Sequence, residues 1–279
     1  MSRPASTVAA IHDLSGVGRC ALTVVMPVLS AMGAQVCPVP TAVLSAHTAF
    51  SGIAAHSLTA FLPQYLAHWE RMGLRFDAVY AGYLADEEQT RIVNGFLDAQ
   101  PSALKVLDPV MGDEGALYAG MRATMPELWR GLCARADVVT PNMTEYALLT
   151  GEPYSLQPRS QAEVAAMLGA LLDMGADSAV ITSLPVEGGL ANAYMRRRDA
   201  RPGLCRFSRL DAHYPGTGDL FASVLTGALL RGDSLMRAVE RATAFTRRAV
   251  ERTMRLATPV NHGVDLEPLL PELCLPPED

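Results

Sequence analysis

Residues 213–230, HYPGTGDLFASVLTGALL, place Gly216, Thr217 and Gly218 immediately before a strongly apolar helical run. Glycines at a helix start leave backbone N–H groups facing one small volume, and the helix dipole adds positive charge there, which suits a phosphoryl group. Asp219 follows in the first turn. A carboxylate so placed can accept a proton from a hydroxyl while the neighbouring N–H groups hold the charge developing on a transferred phosphate. The plainer reading is a Pro-Gly turn in which Asp219 merely steadies the helix start, worth about 0.3–1 kcal/mol.

Three other motifs carry the same double reading. LDPVMGD, residues 107–113, sets Asp108 before Pro109; it is either a turn-initiating Asp-Pro or a carboxylate that orients a hydrated cation. TPNMTEYALLTG, residues 140–151, spaces Asn142 and Glu145 as an N-cap and its N3 partner, a capping-box variant first. Glu145 becomes a plausible partner for Mg2+ only if the fold brings it beside Asp108. IHDLSGVGRCA, residues 11–21, fits the G-x-G-x-x-G/A dinucleotide fingerprint with Gly16, Gly18 and Ala21. The acidic ribose partner expected about 20 residues later is missing, because the next acidic residue after Asp13 is Glu70. A glycine loop carrying Asp13 and Ser15 equally lets a flat polar substrate approach the backbone. His47 and Thr48 in LSAHTAF and Tyr83 in AGYLAD are further candidates for substrate contact. A lone histidine among apolar residues is more often a satisfied core group, and a tyrosine after a strand packs as readily as it stacks. The other histidines form no metal-ligand spacing, and no G-x-S-x-G elbow occurs.

These residues need a scaffold that gathers loops, and the chain's pattern supplies one. Apolar β-rich runs predict strands over 7–11, 35–39, 78–81, 105–107, 138–140 and 179–182. Helices are predicted over 18–32, 57–72, 87–100, 125–135, 144–149, 162–174, 219–230 and 235–255. That alternation implies an α/β fold with a mainly parallel central sheet and helices on both faces. Near Gly188 the rhythm changes to a β-hairpin, with strands over 191–197 and 205–211, that could cover a site. Sites in such sheets lie beyond the carboxyl ends of the strands, where all these motifs fall.

The 279 residues include 49% hydrophobic and 19% charged, with no linker or repeat, so a single globular domain over 1–279 is expected and disorder is excluded. A net charge of −6 provides no basic field for nucleic acid or anionic lipid. Arg196, Arg197 and Arg198 form the one basic run. Five widely spaced cysteines without a CxxC pair argue against a disulfide framework and point to a reducing, cytoplasmic setting. The residues between Cys20 and Trp69 carry no Asp, Glu, Lys or Arg, but prolines, Gln35 and His47 interrupt them, and they read as core rather than membrane. The first residues, MSRPASTVAAIHD, lack the long apolar region of a signal peptide, and the LPPED tail is expected to fray. Lys105 is the single lysine, so no Walker A loop exists.

The ordered series HDLSGVGRCA, LSAHTAF, AGYLAD, DPVMGD, TPNMTE, VITS and YPGTGD resembles the ribokinase-like superfamily, specifically its pyridoxal kinase branch, from about residue 11 to 255. The resemblance implies ATP-dependent phosphorylation of the 5′-hydroxymethyl group of pyridoxal, pyridoxamine or pyridoxine. It implies Asp219 as catalytic base, with Gly216, Thr217 and Gly218 as an anion hole. Asp108 and Glu145 would set Mg2+, while Asn142, Glu145, Thr182 and Ser183 line the ATP side. Asp13, Ser15, His47, Thr48 and Tyr83 would surround the pyridine ring. The hairpin near Gly188 would cover the nucleotide, and an arginine of the 196–198 run is a candidate to add charge. The family further implies a cytoplasmic homodimer using the uncharged stretch near 38–52, with a monovalent cation as an additional candidate cofactor. This chain departs at Asp13, often serine in relatives, and an anion there could favour an amine or a protonated ring nitrogen. Alternatives are a hydroxymethylpyrimidine kinase, whose bifunctional forms usually carry cysteine where Asp219 stands, a non-catalytic vitamer sensor, and a dinucleotide oxidoreductase.

Overall fold

Along the first strand, β1 (Ser6–Ser15), alternate apolar residues pack into different cores: Val8 and Ala10 join one, Ala9 and Ile11 the other. Burial on both faces is the mark of a central parallel strand. The computed structural model describes residues 4–210 and 213–274; Asp211, the end of the second predicted hairpin strand, and the 275–279 tail lie outside the described residues.

After β1 the chain runs through α1 (Leu22–Ala31), β2 (Ala34–Leu44), β3 (Ala55–Ser57), α2 (Leu62–Arg71), β4 (Ala78–Ala81), α3 (Glu87–Ala99) and β5 (Leu104–Leu107). A two-residue pair, β6 (Gly112–Asp113) and β7 (Ala116–Leu117), precedes α4 (Met125–Cys133), β8 (Val138–Val139), α5 (Met143–Thr150) and α6 (Gln161–Asp173). Then come β9 (Ser178–Val186), β10 (Gly189–Arg196), β11 (Gly203–Phe207), α7 (Thr217–Leu230), α8 (Leu235–Leu256) and the short α9 (Leu270–Leu273). Nine strands form one sheet in the order β11-β10-β9-β8-β5-β4-β1-β2-β3. The six from β9 to β2 are parallel; β10, β11 and β3 attach antiparallel at the edges. One core packs α2 to α6 against the sheet, around Trp129, Leu97 and Leu168. The other packs α1, α7 and α8, around Leu29, Val224 and Phe245.

Two predicted helices start later than their patterns indicate. Residues 18–21 are not helical: Gly18 has φ 89° and Ala21 φ 57°, while the Arg19 N–H is bonded to the His262 carbonyl. Tertiary contacts hold the glycine loop open. In the second case residues 55–57 pair with β2 as β3, and the helix waits for Pro63 in its first turn, where proline's missing N–H costs nothing.

The predicted hairpin forms as β10 and β11, which continue the sheet. The β9–β10 turn at Gly188 lies at the carboxyl end of the parallel strands. The turn bearing the arginines lies at the other end, because Arg196 pairs with Ser178, the first residue of β9. Arg197 caps the Leu172 and Ala176 carbonyls, and Arg196 pairs with Asp199. The expectation that one of residues 196–198 adds charge at a phosphate is therefore corrected: the strand order puts the run a full strand length away.

Candidate active site

The carboxyl ends of β1, β4, β5 and β8 and the start of α7 converge on a cluster of buried carboxylates. Asp13, Asp108, Glu145 and Asp219 are all below 9% exposed. α7 begins at a glycine N-cap, Gly216, with φ 79° and no side-chain cap. A Cβ at Gly216 would stand 2.1 Å from the Arg19 carbonyl oxygen, so this position requires glycine. The Thr217 hydroxyl bonds back to the Tyr214 carbonyl, which leaves the first-turn N–H groups as the helix's uncapped face.

Asp219 does not cap its own helix. Its Oδ2 accepts from the Ala21 N–H at 2.6 Å and from the Cys20 thiol at 3.4 Å, and its Oδ1 lies 3.0 Å from His12 Nε2. The plainer reading of Asp219 as a helix-steadying residue is thus set aside. Burial would raise its pKa, but the charge and hydrogen bond of His12 overcome this and hold it below the usual carboxylate value. Cys20 is pushed well above the normal thiol value by burial and by Asp219, so it serves as a neutral donor. Because Ala21 spends its N–H on Asp219, the loop is not built to cradle a dinucleotide pyrophosphate.

Asp13 is turned inward. Its Oδ1 lies 2.9 Å from His12 Nδ1 and its Oδ2 accepts from the Ser15 hydroxyl at 2.9 Å. Its charge is committed within the protein, which removes the argument that Asp13 selects an amine-bearing ligand. Tyr83 is close enough for Asp13, after burial, to help raise its phenol pKa. His47 packs on the glycine loop: a Cβ at Gly18 would meet its Cδ2 at 2.3 Å. Its Nδ1 accepts from Ala49 and its Nε2 faces the Asn261 carbonyl at 2.8 Å, so only its carbon edge and faces remain for a ligand. Thr48 is exposed beside it.

Asp108 accepts from Thr140 at 3.0 Å and from the Tyr80 hydroxyl at 3.3 Å. Burial first, and Asp219 second, raise its pKa to about 7. Glu145 completes a capping box with Asn142, and its carboxylate takes a second N–H, from Met111 at 3.4 Å. Burial and Asp108 drive its carboxyl well above the ordinary range all the same. The capping-box reading of Glu145 holds, and the fold also brings its carboxylate within electrostatic reach of Asp108. The Asn142 amide accepts from the Glu145 N–H and donates to the Gly112 carbonyl at 3.1 Å, which leaves its second N–H without a protein partner among the described residues. Thr182 joins this side through its N–H to Pro141, and Ser183, φ 52°, donates its N–H to Asn192.

Hard oxygen donors short of positive charge fit Mg2+, which takes one or two carboxylates and keeps its waters. Among the described residues there is no group of three or more His, Cys, Asp or Glu placed to hold a metal ion.

His12, Gly82, Tyr80, Thr140 and the Ala21 amide are site residues that motif reading missed. His12 stood in plain sight beside Asp13, but only the pairing of β1 with β4 and the approach of α7 give it a role.

A parallel sheet whose strand ends present an uncapped, glycine-led helix and an ionised carboxylate, with no phosphate-loop lysine, defines a ribokinase-like small-molecule kinase. The chain belongs to the phosphomethylpyrimidine kinase family, whose model matches residues 25–264. It is 32% identical over 263 residues to the pyridoxine/pyridoxal/pyridoxamine kinase of Bordetella avium, covering 86% of this chain and 82% of that one. Among solved structures, a Bacteroides thetaiotaomicron protein described as a putative phosphomethylpyrimidine kinase, crystallised with pyridoxal, superposes with a TM-score of 0.91 at 41% identity, over 99% of this chain and 98% of that one. The pyridoxal kinase of Lactobacillus plantarum superposes with a TM-score of 0.89 at 37% identity, over 96% of each chain.

Proposed function

We propose that this protein, as one kinase domain over 1–279, phosphorylates the 5′-hydroxymethyl group of a vitamin B6 vitamer with ATP. The observation that carries the reading is Asp219: a buried carboxylate at the uncapped start of α7, held ionised, with three donors fixing its direction. The alcohol proton passes to Asp219 as the oxygen attacks the terminal phosphorus of ATP, and the bond from that phosphorus to the bridging oxygen of the β-phosphate breaks, releasing ADP. The N–H groups of Gly216, Thr217 and Gly218 face the charge on the transferred group, which is how phosphoryl transfer chiefly gains its rate. Asp108 and Glu145 would hold a Mg2+ ion, which when bound would supply positive charge at the triphosphate. Asn142, Thr182 and Ser183 line the nucleotide side under the β9–β10 turn. Ser15, Thr48, Tyr83 and the carbon edge of His47 bound the vitamer side, and Asp13 acts behind them through His12.

No helix among the described residues is long and apolar enough to cross a membrane. The five cysteines are unpaired, which supports work in the cytoplasm. A homodimer through the uncharged stretch near 38–52 and a monovalent cation beside the nucleotide complete the proposal. Because the matched family is named for a pyrimidine, hydroxymethylpyrimidine is the second substrate reading.

Steady-state rates with ATP and Mg2+ against pyridoxal, pyridoxamine, pyridoxine and hydroxymethylpyrimidine test it. Turnover of a B6 vitamer is expected; tight binding without turnover of any of the four makes the protein a sensor. Asp219→Ala should lower kcat by about 10²–10⁴, the usual contribution of general acid–base chemistry, with little change in ATP affinity.

A further inference from the structure

Four carboxylates crowd this site, yet the group in direct contact with two of them is a histidine. His12 is 1% exposed and bridges β1 to α7, with Nδ1 2.9 Å from Asp13 Oδ1 and Nε2 3.0 Å from Asp219 Oδ1. A neutral imidazole has one N–H and one lone pair, so it can satisfy only one of two flanking carboxylates; the imidazolium donates to both. The Asp13 backbone N–H is also directed at Nδ1 as a hydrogen-bond donor, at 2.9 Å. It could satisfy a neutral ring, but Asp13 Oδ1 would then face a lone pair at equal range, and a full charge outweighs one amide dipole. The pocket is shaped for the ring. A Cβ at Gly82 would stand 2.1 Å from His12 Cδ2, and Tyr80 stacks with the ring at 6.2 Å between centroids.

We infer that His12 is a built-in counter-cation, an imidazolium clamped between Asp13 and Asp219 that aims Asp219 at the substrate alcohol and keeps it ionised. This rests on the reading of Asp219 as proton acceptor. A carboxylate offers about four lone-pair positions. His12, Ala21 and Cys20 occupy three of those on Asp219, which leaves one for the alcohol proton. Asp13 is a positioning residue at one remove, itself held by Ser15. The groups that face the ring are Asp13 on β1, Asp219 on α7, Cys20 on the glycine loop and Tyr80 on β4, with Asp108, just past the end of β5, bonded to the Tyr80 hydroxyl. Burial opposes a charge on His12, but Asp219 and Asp13 together lift its pKa to about 10. Cys20 and Tyr80 are both driven toward their neutral forms.

Histidine-selective 15N NMR of the intact protein reads the charge directly. The histidine whose signals move in Asp219→Asn should carry a proton on both ring nitrogens from about pH 6 to 8, across the free-histidine pKa of about 6.5. A neutral ring in that window overturns the inference. Kinetically, His12→Asn should lower kcat at least about tenfold and move the acid limb of its pH profile upward by about one unit, since Asp219 loses the charge that holds its pKa down. Gly82→Ala, which displaces the ring and removes no titrating group, should move the limb the same way, with KM for ATP within about threefold. A His12 that only props the fold would lower the melting temperature and leave the limb in place, and that result in both variants sinks the inference. Full activity in Asp219→Asn would instead sink the reading of Asp219 as base, so the two failures are distinct.

Discussion

Gly216 and Gly218 stand two residues apart at the start of α7 and meet opposite surroundings. A side chain at Gly216 collides with the Arg19 carbonyl, whereas one at Gly218 has open space. Gly216→Ala should therefore destabilise the protein, by at least the roughly 1–2 kcal/mol of a left-handed residue. Gly218→Ala should stabilise it by up to about 1 kcal/mol through helix propensity. If the anion hole is real, both lose kcat, and urea denaturation beside steady-state assay separates the effects. Asp108 gives the complementary case. Its folded pKa of about 7 lies above the ordinary 3.8, so its contribution to stability is fully present below about pH 3.8 and lost as pH rises through 7. Asp108→Asn should raise the melting temperature by a few degrees at about pH 8, change it little at pH 4, and depress kcat.

At the scale of elements, two helices carry the same cap for different purposes. Ser160 and Glu163 close a capping box on α6, and Asn142 and Glu145 close one on α5. Ser160→Ala should cost about 1 kcal/mol in urea unfolding with kcat unchanged. Asn142→Ala should cost a similar amount but also lower kcat, because its amide ties Glu145 to the Gly112 loop. A second device is the clasp around the glycine loop. Arg19 pairs with Asp265 and Glu267, and its backbone is flanked by Gly216 and Gly263, each lacking room for a Cβ. The segment after α8 thereby fixes the loop that supplies Ala21 to Asp219. Ala21 itself holds φ 57° and ψ −137° as the N-cap of α1, a conformation costly for a residue with a Cβ and kept where the surroundings over-determine it.

Across the whole molecule the buried charge pair sets a pH profile. His12, with a folded pKa of about 10 against 6.5, contributes stability that is complete below about pH 6.5 and lost as pH climbs toward 10. Asp219, held below 3.8, contributes stability present above that value and lost as pH falls. Urea midpoints should therefore be lower at about pH 9.5 than at 6.5, and His12→Asn should flatten that alkaline decline. The sequence by itself determined the parallel α/β frame, since strands and helices announce themselves by local periodicity. It also determined the glycine-led start of α7, since glycine and helix propensity act between near neighbours. The acid at 219 and the Asn142–Glu145 cap were legible for the same reason. Only the tertiary structure decided which end of the sheet received residues 196–198, where the first two helices begin, and that Asp13 faces inward. It alone joined His12 to an acid 207 residues away. Those outcomes depend on strand order and on contacts between distant segments, whose energies no local pattern encodes.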